Sequence, residues 1–451
     1  MRHYSALDAP ASQRRRLTPA QVIVFGFLAV ILSGAVLLSL PLAANRGVHV
    51  SFPTALFTSC SATCITGLTV VDTALTWSVF GRAVILCLIQ IGGLGFMSVT
   101  TVFFFALNKR IDLSRRILLV QSMNLKDIEG VVRLLRHVLA GTVIAEAAGA
   151  IVLWVRFAPE YGALKGLELG IFHSVSAFCN AGIDLFGGDL SRFADDAVVL
   201  LTLTFLVLFG GLGFFVWEDI WRNRGFRGLH LHSKLVLAVS GCLLGFGFVF
   251  FLLAERNAAF AGMPLPKAAL ASLFQTVMPR SGGFTVIDQG AFTGAGRLVT
   301  TVLMLIGGSA GSAAGGIKNV TAGILFLSAV RFLRGKSNVS VFKRTIPQRQ
   351  IFTALSIMIM VLTAWLAGAA AIALIQPDIP FGSVLFEAAS AIATCGLSHG
   401  VTEALAPASR AVVMLLMFFG RVGIITVGMA AFINRGGTEK TKHPDTWVMM
   451  G

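Results

Sequence analysis

Charged residues are scarce in this chain. They make up 13% of its 451 residues, 56% are hydrophobic, and the mean hydropathy is +0.83. A soluble globular protein carries about 25% charged residues, so the composition excludes that class and is typical of a membrane protein. Six scattered cysteines are too few for a disulfide framework in a chain of this length.

Two common enzyme motifs are missing as well. The sequence has no HExxH zinc motif and no Walker A phosphate loop with its lysine. We therefore expect no enzymatic activity and no organic cofactor in this chain. We interpret Cys64, Cys179 and Cys395 as small packing residues, because thiolates suit zinc or copper whereas alkali cations prefer oxygen ligands.

The net charge of +15 would suit a nucleic-acid partner, but the location of the charges favours another explanation. Most of the 36 Lys and Arg lie in hydrophilic stretches at 1–18, 107–137, 218–234, 331–350 and from Arg435 onward. If these stretches are cytoplasmic, the surplus follows from the positive-inside rule. We predict contact with a lipid bilayer and no nucleic-acid partner. Residues 107–137 are a candidate surface for a cytoplasmic partner or anionic lipid.

Eight apolar segments are long enough to cross the hydrocarbon core, which takes about 20 residues. Four shorter apolar segments lie between the members of successive pairs. Because these are too short to cross, we predict re-entrant half-helices that lie against protein or a water-filled space. The expected spans are 20–43, 80–106, 138–157, 196–217, 235–254, 297–333, 351–375 and 408–433, and the half-helices are 53–66, 168–181, 268–280 and 382–395.

Internal similarity divides the chain into four pseudo-repeated units, which we expect to surround one central pore. Gly92-Gly93-Leu94-Gly95-Phe96 recurs letter for letter at residues 210–214, and each half-helix ends at a glycine-containing cluster. The predicted fold is an all-α membrane protein with eight full spans and four re-entrant half-helices. We expect a cytoplasmic N-terminus (1–18), repeats 19–106, 138–217, 235–333 and 351–433, cytoplasmic linkers 107–137, 218–234 and 334–350, and a cytoplasmic C-terminus (434–451).

The half-helices predict a cation filter. A half-helix that stops near mid-membrane directs its partly negative C-terminal carbonyl groups toward the pore axis. Carbonyl groups of the following backbone would replace hydration water, as in potassium channels, and glycine accepts the positive φ of such a turn. The predicted filter residues are Thr66, Gly67, Leu68, Asn180, Ala181, Gly182, Ser281, Gly282, Gly283, Thr394, Cys395 and Gly396, with K+ at the carbonyls of Gly67, Gly182, Gly283 and Gly396.

From about Thr18 to Asn434 the chain resembles the Ktr/Trk/HKT superfamily of potassium transporters, most closely its bacterial KtrB-type membrane subunits. The resemblance rests on Thr66-Gly67-Leu68, Phe178–Gly182, Arg280–Phe284, Thr394–Leu397, Ile306–Lys318 and Gly420–Gly423. It implies potassium uptake, a homodimer of such pores, a cytoplasmic KtrA-like nucleotide-binding ring of RCK type, and the bacterial inner membrane. Sodium dependence is implied by the resemblance alone.

The same resemblance implies that Gly67 favours potassium, since a serine at this place accompanies sodium preference in plant relatives. It also implies a gate in the sixth span. Residues 306–318 contain five glycines, each costing about 1 kcal/mol in a helix interior, so we expect a loop; close helix packing is the alternative. The resemblance implies that this loop lies below the filter. The predicted gate residues are Gly307, Gly308, Ser309, Ala310, Gly311, Ser312, Gly315, Gly316, Lys318 and Arg421.

Several ionisable residues have two interpretations. Arg421, within the last span, would either face the pore below the filter or bind loop carbonyls without affecting flux. Glu146, in the third span, would either relay a proton or sodium or pair with backbone or a basic group. Asp72, Asp184 and Asp288 would either concentrate cations at the outer mouth or cap loops.

A different transport class remains as the alternative function. It is an ion-coupled secondary transporter, a sodium- or proton-coupled cation symporter without a continuous pore. Such proteins are commonly built from inverted repeats. All four units of this sequence instead run in the same order of span, re-entrant segment and span, which favours the pore.

Overall fold

The structure, a computed structural model, describes residues 18–95, 131–187, 190–336 and 338–432. Residues 1–17, 96–130 and 433–451 lie outside the described residues. They include the expected terminal segments, part of the second expected span and most of the basic stretch 107–137. Gate and filter residues predicted above all lie within the described parts of the chain.

The described residues are predominantly helical, with one short hairpin of β1 (Ser340–Val341) and β2 (Arg344–Thr345). Single turns of 3-10 helix lie at Pro41–Ala43, Ser191–Phe193 and Gln289–Ala291. The α-helices are α1 Pro19–Leu38, α2 Phe52–Thr63, α3 Thr73–Thr76, α4 Val79–Leu94, α5 Val131–Tyr161, α6 Ala163–Phe178, α7 Ala197–Gly211, α8 Phe214–Asn223, α9 Leu231–Ala254, α10 Leu265–Val277, α11 Gly294–Leu305, α12 Asn319–Leu333, α13 Gln348–Ile375, α14 Phe381–Ile392, α15 Val401–Ala404, α16 Pro407–Val422 and α17 Ile424–Phe432.

Four helices of the described chain are long and apolar enough to cross a membrane by length and composition. They are Ala20–Leu38, Arg136–Tyr161, Leu231–Ala254 and Gln348–Ile375, and the bent pair α7 and α8 would make a fifth if it is one span. Large apolar side chains on these helices are exposed, including Phe25, Leu253 and Leu374. Such surfaces are stable in lipid and costly in water, so the chain is a helical membrane protein.

Four shorter helices, α2, α6, α10 and α14, lie where the sequence predicts half-helices. A proline in the first turn begins α2 and α10, where its missing N–H costs no hydrogen bond. Their C-terminal parts are buried: Phe57, Phe178, Phe274 and Phe386 are all at most 2% exposed. These helices therefore form the interior of the protein, and the long helices pack around them, as α1 packs on α2 and α5 on α6.

Three of the helices that follow the short helices end at a glycine with positive φ. Helix α4 ends before Gly95 (φ +82), α7 and α8 meet at Gly213 (φ +99) with a bend of 91°, and α16 ends before Gly423 (φ +90). The expected spans 196–217 and 408–433 are thus broken rather than continuous. The physical reason is the left-handed backbone at these positions, which glycine adopts without steric cost but which ends a right-handed helix.

The repeated Gly-Gly-Leu-Gly motif has a packing role. A methyl group on Gly92 would collide with the carbonyl oxygen of Thr63, and one on Gly210 with that of Phe178; Gly420 meets the carbonyl oxygen of Ile392 in the same way. In each case the carbonyl lies at the C-terminal end of a short helix. The glycines therefore let the following helix approach the last turn of the short helix in backbone contact.

We expect Gly210→Ala to destabilise the protein by about 1–3 kcal/mol, because the added methyl group overpacks the contact with Phe178. Gly241→Ala is the matched control, since Gly241 lies within α9 with no atom within 4 Å of the added methyl group. Apparent melting temperatures in detergent should fall for Gly210→Ala and stay level or rise for Gly241→Ala. Equal melting temperatures for the two variants would contradict the packing role.

Candidate functional site

Four short segments, each following a short helix, share an unusual backbone conformation. In every segment a glycine has positive φ, and so does the residue two positions before it. Non-glycine residues rarely adopt this conformation, which costs about 1–3 kcal/mol each and persists where the surroundings enforce it. The pairs are Ile65 (+52°) and Gly67 (+92°), Asn180 (+58°) and Gly182 (+64°), Ser281 (+78°) and Gly283 (+73°), and Thr394 (+48°) and Gly396 (+96°). We call residues 65–67, 180–182, 281–283 and 394–396 the ring segments.

The four glycines of these segments form a closed ring. A methyl group built on Gly67 would lie 2.5 Å from the carbonyl oxygen of Ala181, and one on Gly182 would lie 2.7 Å from the Cα of Gly283. The ring continues from Gly283, whose methyl group would lie 2.5 Å from the carbonyl oxygen of Cys395. Gly396 closes it against the carbonyl oxygen of Thr66. The sequence-predicted glycines therefore meet, and no side chain fits between neighbours. We refer to them as the glycine ring.

A cavity of about 180 Å³ opens on one side of the glycine ring, and all four glycines line it. Leu68 is another lining residue. Three carboxylate residues also line it, Asp72, Asp184 and Glu403. The concentration of negative charge around a narrow opening raises the local concentration of cations. We call this space the outer cavity.

Of the three acidic residues predicted at the outer mouth, two line the outer cavity and the third does not. Asp72 and Asp184 line the outer cavity and also cap loops: Asp72 accepts from the N–H groups of Ala74 and Leu75, and Asp184 from that of Phe186. Asp288 caps a turn by accepting from the N–H of Gly290 and is not among the residues that line this cavity.

Residues 306–318 form a compact loop between α11 and α12. Its ends are tied by two backbone hydrogen bonds, from Gly307 N–H to Ile317 O (3.0 Å) and from Ile317 N–H to Leu305 O (3.0 Å). The middle of the loop is bound to the break between α7 and α8. Ser309 N–H donates to Gly211 O, Ala313 N–H donates to Gly210 O, and Phe214 N–H donates to Gly311 O. We call this segment loop 306–318.

Loop 306–318 also lies against the third and fourth ring segments. The N–H of Gly315 donates to the hydroxyl of Ser281 at 3.1 Å, and a methyl group on Gly315 would collide with the hydroxyl of Thr394. The predicted gate residues Gly307 and Gly308 pack within the loop, against Gly315 and Ala314. The loop is therefore in direct contact with side chains of two ring segments, at Ser281 and Thr394.

Arg421 and Lys318 bind carbonyl groups of loop 306–318. The Lys318 ammonium donates to Ala314 O at 2.7 Å. The Arg421 guanidinium donates to Ala313 O in the loop, and to Gly92 O and Gly93 O at the end of α4. Of the two interpretations of Arg421, the binding of loop carbonyls agrees with this geometry; its effect on flux stays a prediction.

The surroundings of Glu146 differ from those expected. The carboxylate is buried and accepts from the side-chain amide of Gln90 at 3.3 Å, and the thiol of Cys179 lies 3.7 Å away. These partners are neutral side chains rather than the backbone or basic group that we expected. Sequence spacing does not show this, because Gln90 lies in α4, Glu146 in α5 and Cys179 directly after α6. Among the described residues no group of three His, Cys, Asp or Glu side chains suits a metal ion.

Serine side chains that support the ring segments were missed by the sequence analysis. Ser61 and Ser390 accept hydrogen bonds from the N–H groups of Gly67 (3.1 Å) and Gly396 (3.0 Å). Ser176 instead donates to the carbonyl of Ile183 at 2.7 Å. Each serine lies six positions before a ring glycine, so aligning the four units on their glycines would have found them.

His173 and Glu387 are buried, and each lies nine positions before a ring glycine. Each binds the loop that follows that glycine. His173 donates from Nδ1 to Leu169 O (2.7 Å), and its Nε2 accepts from the N–H of Leu185 (3.2 Å). Glu387 accepts from the hydroxyl of Ser398 at 2.8 Å and from that of Thr402. The carboxylate and the imidazole thus fix the wall of the outer cavity in two of the four units.

The letters of residues 307–311 match the GxSxG signature of hydrolases, which needs an exposed serine on a strand-to-helix turn. Ser309 instead lies in loop 306–318, is fully buried, and donates to the carbonyl of Ala310 at 3.3 Å. The match carries no catalytic function.

We expect Glu387→Ala to destabilise the protein by about 1–3 kcal/mol, because the buried Thr402 hydroxyl and its neighbour Ser398 lose their acceptor. Glu403→Ala removes a carboxylate from the same stretch of chain, but one that is exposed, and should leave the apparent melting temperature nearly unchanged. The buried role of Glu387 is refuted if both variants melt at the temperature of the unmodified protein.

Comparison with known proteins identifies the family. Residues 4–436 match TrkH, a family of cation transport proteins. The chain is 38% identical over 448 residues to "Potassium/sodium uptake protein NtpJ" of Enterococcus hirae, covering 97% of this chain and 98% of that protein. It is also 38% identical over 440 residues to "Ktr system potassium uptake protein B" of Bacillus subtilis, covering 97% of each.

A solved structure has a similar fold. It is that of the potassium transporter TrkH from Vibrio parahaemolyticus, with a TM-score of 0.75 at 17% sequence identity over 92% of this chain and 86% of that one. The family match, the two relatives and this fold lead to one conclusion: the chain belongs to the TrkH family of cation transport proteins.

Proposed function

We propose that this protein carries potassium into the cell through a pore on the axis of the glycine ring. The observation that carries the proposal is the ring itself, in which four backbone segments meet with no side chain between them. Support also comes from relatives whose names describe potassium or potassium/sodium uptake. Potassium is then the transported substrate, and the chain needs no organic cofactor.

Selection follows from backbone chemistry. Carbonyl oxygens of the ring segments replace the hydration shell of a dehydrated ion, and K+ binds at the carbonyls of Gly67, Gly182, Gly283 and Gly396. Helices α2, α6, α10 and α14 end with one to three residues between their last residue and these segments, so the negative ends of their dipoles add to the attraction. The acidic residues of the outer cavity concentrate cations at the entrance.

The proposed architecture has four pseudo-repeated units with eight spans, at 19–106, 138–217, 235–333 and 351–433. Support comes from the recurrence of the same elements, in which a long helix precedes a short helix, a ring segment and a glycine-interrupted helix. In the third unit the interruption is enlarged to loop 306–318. The stretches 218–234 and 334–350, with the chain termini, are cytoplasmic in this arrangement.

Loop 306–318 serves as the gate. Its contacts with two ring segments and with the α7–α8 break support a position next to the path of an ion that passes through the ring. Few side chains and five glycines suit a segment that moves. Arg421 stabilises the closed arrangement through Ala313 O, and its positive charge opposes cation leakage.

The assembly around this chain is proposed from the family resemblance. It consists of a homodimer of pores in the bacterial inner membrane, bound to a cytoplasmic nucleotide-binding ring of RCK type. The nucleotide-binding partner would act on loop 306–318 from the cytoplasmic side. Sodium enters either as an activator or as a second transported ion, as the name of the Enterococcus hirae relative suggests.

Uptake assays test the function. Expression in a bacterial strain without its own potassium uptake systems should restore growth at low potassium, with sodium varied independently. In proteoliposomes, potassium flux should follow the potassium gradient and membrane potential. A fixed sodium-to-potassium or proton-to-potassium stoichiometry would instead support the coupled symporter.

We expect Gly67→Ser to lower the ratio of potassium to sodium flux by about tenfold, which corresponds to about 1.4 kcal/mol. The side chain would press on the carbonyl of Ala181 within the ring. Gly47→Ser is the matched control: Gly47 also has positive φ (+84°), but its surroundings are open. Flux ratios of labelled ions in proteoliposomes measure the effect. An unchanged ratio in Gly67→Ser would refute the filter role of the glycine ring.

Deletion of residues 309–315 should produce ion flux that needs no regulator. The two ends of the deleted stretch lie close together, since Gly307 packs directly on Gly315 and Gly316, so the chain can be rejoined with little movement. Adding Gly67→Ser to the deletion is the control, because leakage through the filter should then show the altered ion ratio. Silent uptake in the absence of the regulator would contradict the gate.

A further inference from the structure

Ser281 joins three parts of the site through one hydroxyl group. Its Oγ–H donates to the carbonyl of Thr394 in the fourth ring segment at 2.7 Å, and its oxygen accepts from the N–H of Gly315 in loop 306–318 at 3.1 Å. Ser281 itself belongs to the third ring segment and is 1% exposed. Because the group is buried, water does not compete for either bond.

The equivalent residues of the other ring segments make no such bridge. Ile65 has an apolar side chain, and Asn180 donates to the carbonyl of Val207 at 3.3 Å. The hydroxyl of Thr394 is buried without a hydrogen-bond partner within the described chain, although it lies against Gly315. The link between the loop and the ring is therefore concentrated on one side, at Ser281 and Thr394.

A second contact ties the same segment to the end of the loop. Arg280, the residue before Ser281, donates to the hydroxyl of Ser240 at 3.3 Å. Asn319, the first residue of α12 after the loop, donates to the same hydroxyl at 2.9 Å, and its N–H donates to Gly308 O. Movement of the loop would therefore act on the third ring segment through two separate contacts, one at Ser281 and one at Arg280.

We propose, on the basis of the proposed function, that the Ser281 hydroxyl makes the ion preference of the glycine ring depend on the position of loop 306–318. With the loop closed, Gly315 N–H orients the hydroxyl, and the hydroxyl holds the carbonyl of Thr394. When Gly315 moves away, the hydroxyl loses its donor and the Thr394 carbonyl loses a fixed partner. Ser281 is accordingly a positioning residue: it holds Thr394, which lies in the same ring segment as the proposed ion ligand Gly396.

Two features of hydrogen bonding support this coupling. Consecutive hydrogen bonds in a low-dielectric interior polarise and strengthen one another, so the Gly315 and Thr394 bonds of Ser281 are mutually dependent. Coupling between two sites is also reciprocal. An ion that draws the Thr394 carbonyl toward the axis would therefore change the stability of the closed loop.

A double-mutant cycle tests the proposal, using the full-length protein in detergent without its regulator, so that the loop of the intact chain stays closed. The four proteins are the unmodified chain, Ser281→Ala, the deletion of 309–315, and the two changes together. Because a closed gate passes no flux, equilibrium binding of labelled rubidium and sodium gives the ion ratio of each. Because one buried hydrogen bond is lost, we expect Ser281→Ala to change the ratio by about two- to tenfold in the intact chain. In the loop-deleted protein the same substitution should change it by less than about twofold.

Two further variants test whether the effect on the ion ratio comes from the Ser281 hydroxyl. Ser281→Gly also removes the hydroxyl and is compatible with the positive φ of this residue (+78°), so it should behave as Ser281→Ala does if the latter folds poorly. Ser272→Ala is the control, because it removes another buried hydroxyl, one that ties α10 to Phe248 O in α9. It should leave the ion ratio unchanged.

Different experimental outcomes would overturn the coupling and the proposed function. An unchanged ion ratio in Ser281→Ala and Ser281→Gly overturns the coupling, as does an equal change with and without the loop, which would make Ser281 a local filter residue. Absence of potassium flux in the unmodified protein would instead overturn the proposed function. A reduced effect of Ser281 substitutions after loop deletion supports the coupling.

Discussion

The rest of the structure depends on a contact between backbones: four glycines meet their neighbours' carbonyl oxygens or Cα atoms at distances that leave no room for a methyl group. This contact requires four short helices to end at the same level. The helix that follows must in turn pack closely against each short helix. Three of these following helices do so through glycines that touch the carbonyls of Thr63, Phe178 and Ile392. Serine hydroxyls, His173 and Glu387 then hold the strained turns and outer loops that the ring imposes.

The backbone pattern of the ring is close to fourfold, but its surroundings are not. Loop 306–318 follows the third ring segment along the chain and is held by groups from distant parts of the chain, including the carbonyls of Gly210 and Gly211 and the guanidinium of Arg421. Ser281 adds a contact between that loop and the fourth ring segment. Because the four ring segments belong to one chain, each can carry a different side chain at the same position, and this permits the asymmetry.

The short helices and ring glycines could be predicted because their signals are local. An apolar segment too short to cross a membrane and a glycine after its end are visible in the sequence without any contact. Breaks at Gly213 and Gly423 were missed because glycine is also tolerated inside a helix, and only the packing partner decides between the two. The neutral partners of Glu146, and the position of Glu403 at the outer cavity instead of Asp288, depend on residues far apart in the chain.

By itself, the sequence determined the class of protein, the family, the position of each short helix and the identity of the ring glycines. These follow from hydropathy, segment length and the conformational freedom of glycine, which act over a few residues. Tertiary structure alone decided that the glycines touch in a closed circle, that Arg421 binds Ala313 and Gly92, and that one serine connects loop and ring. Hydrogen bonds and steric contacts of this kind reach only a few ångströms, so they exist only after distant segments have been brought together.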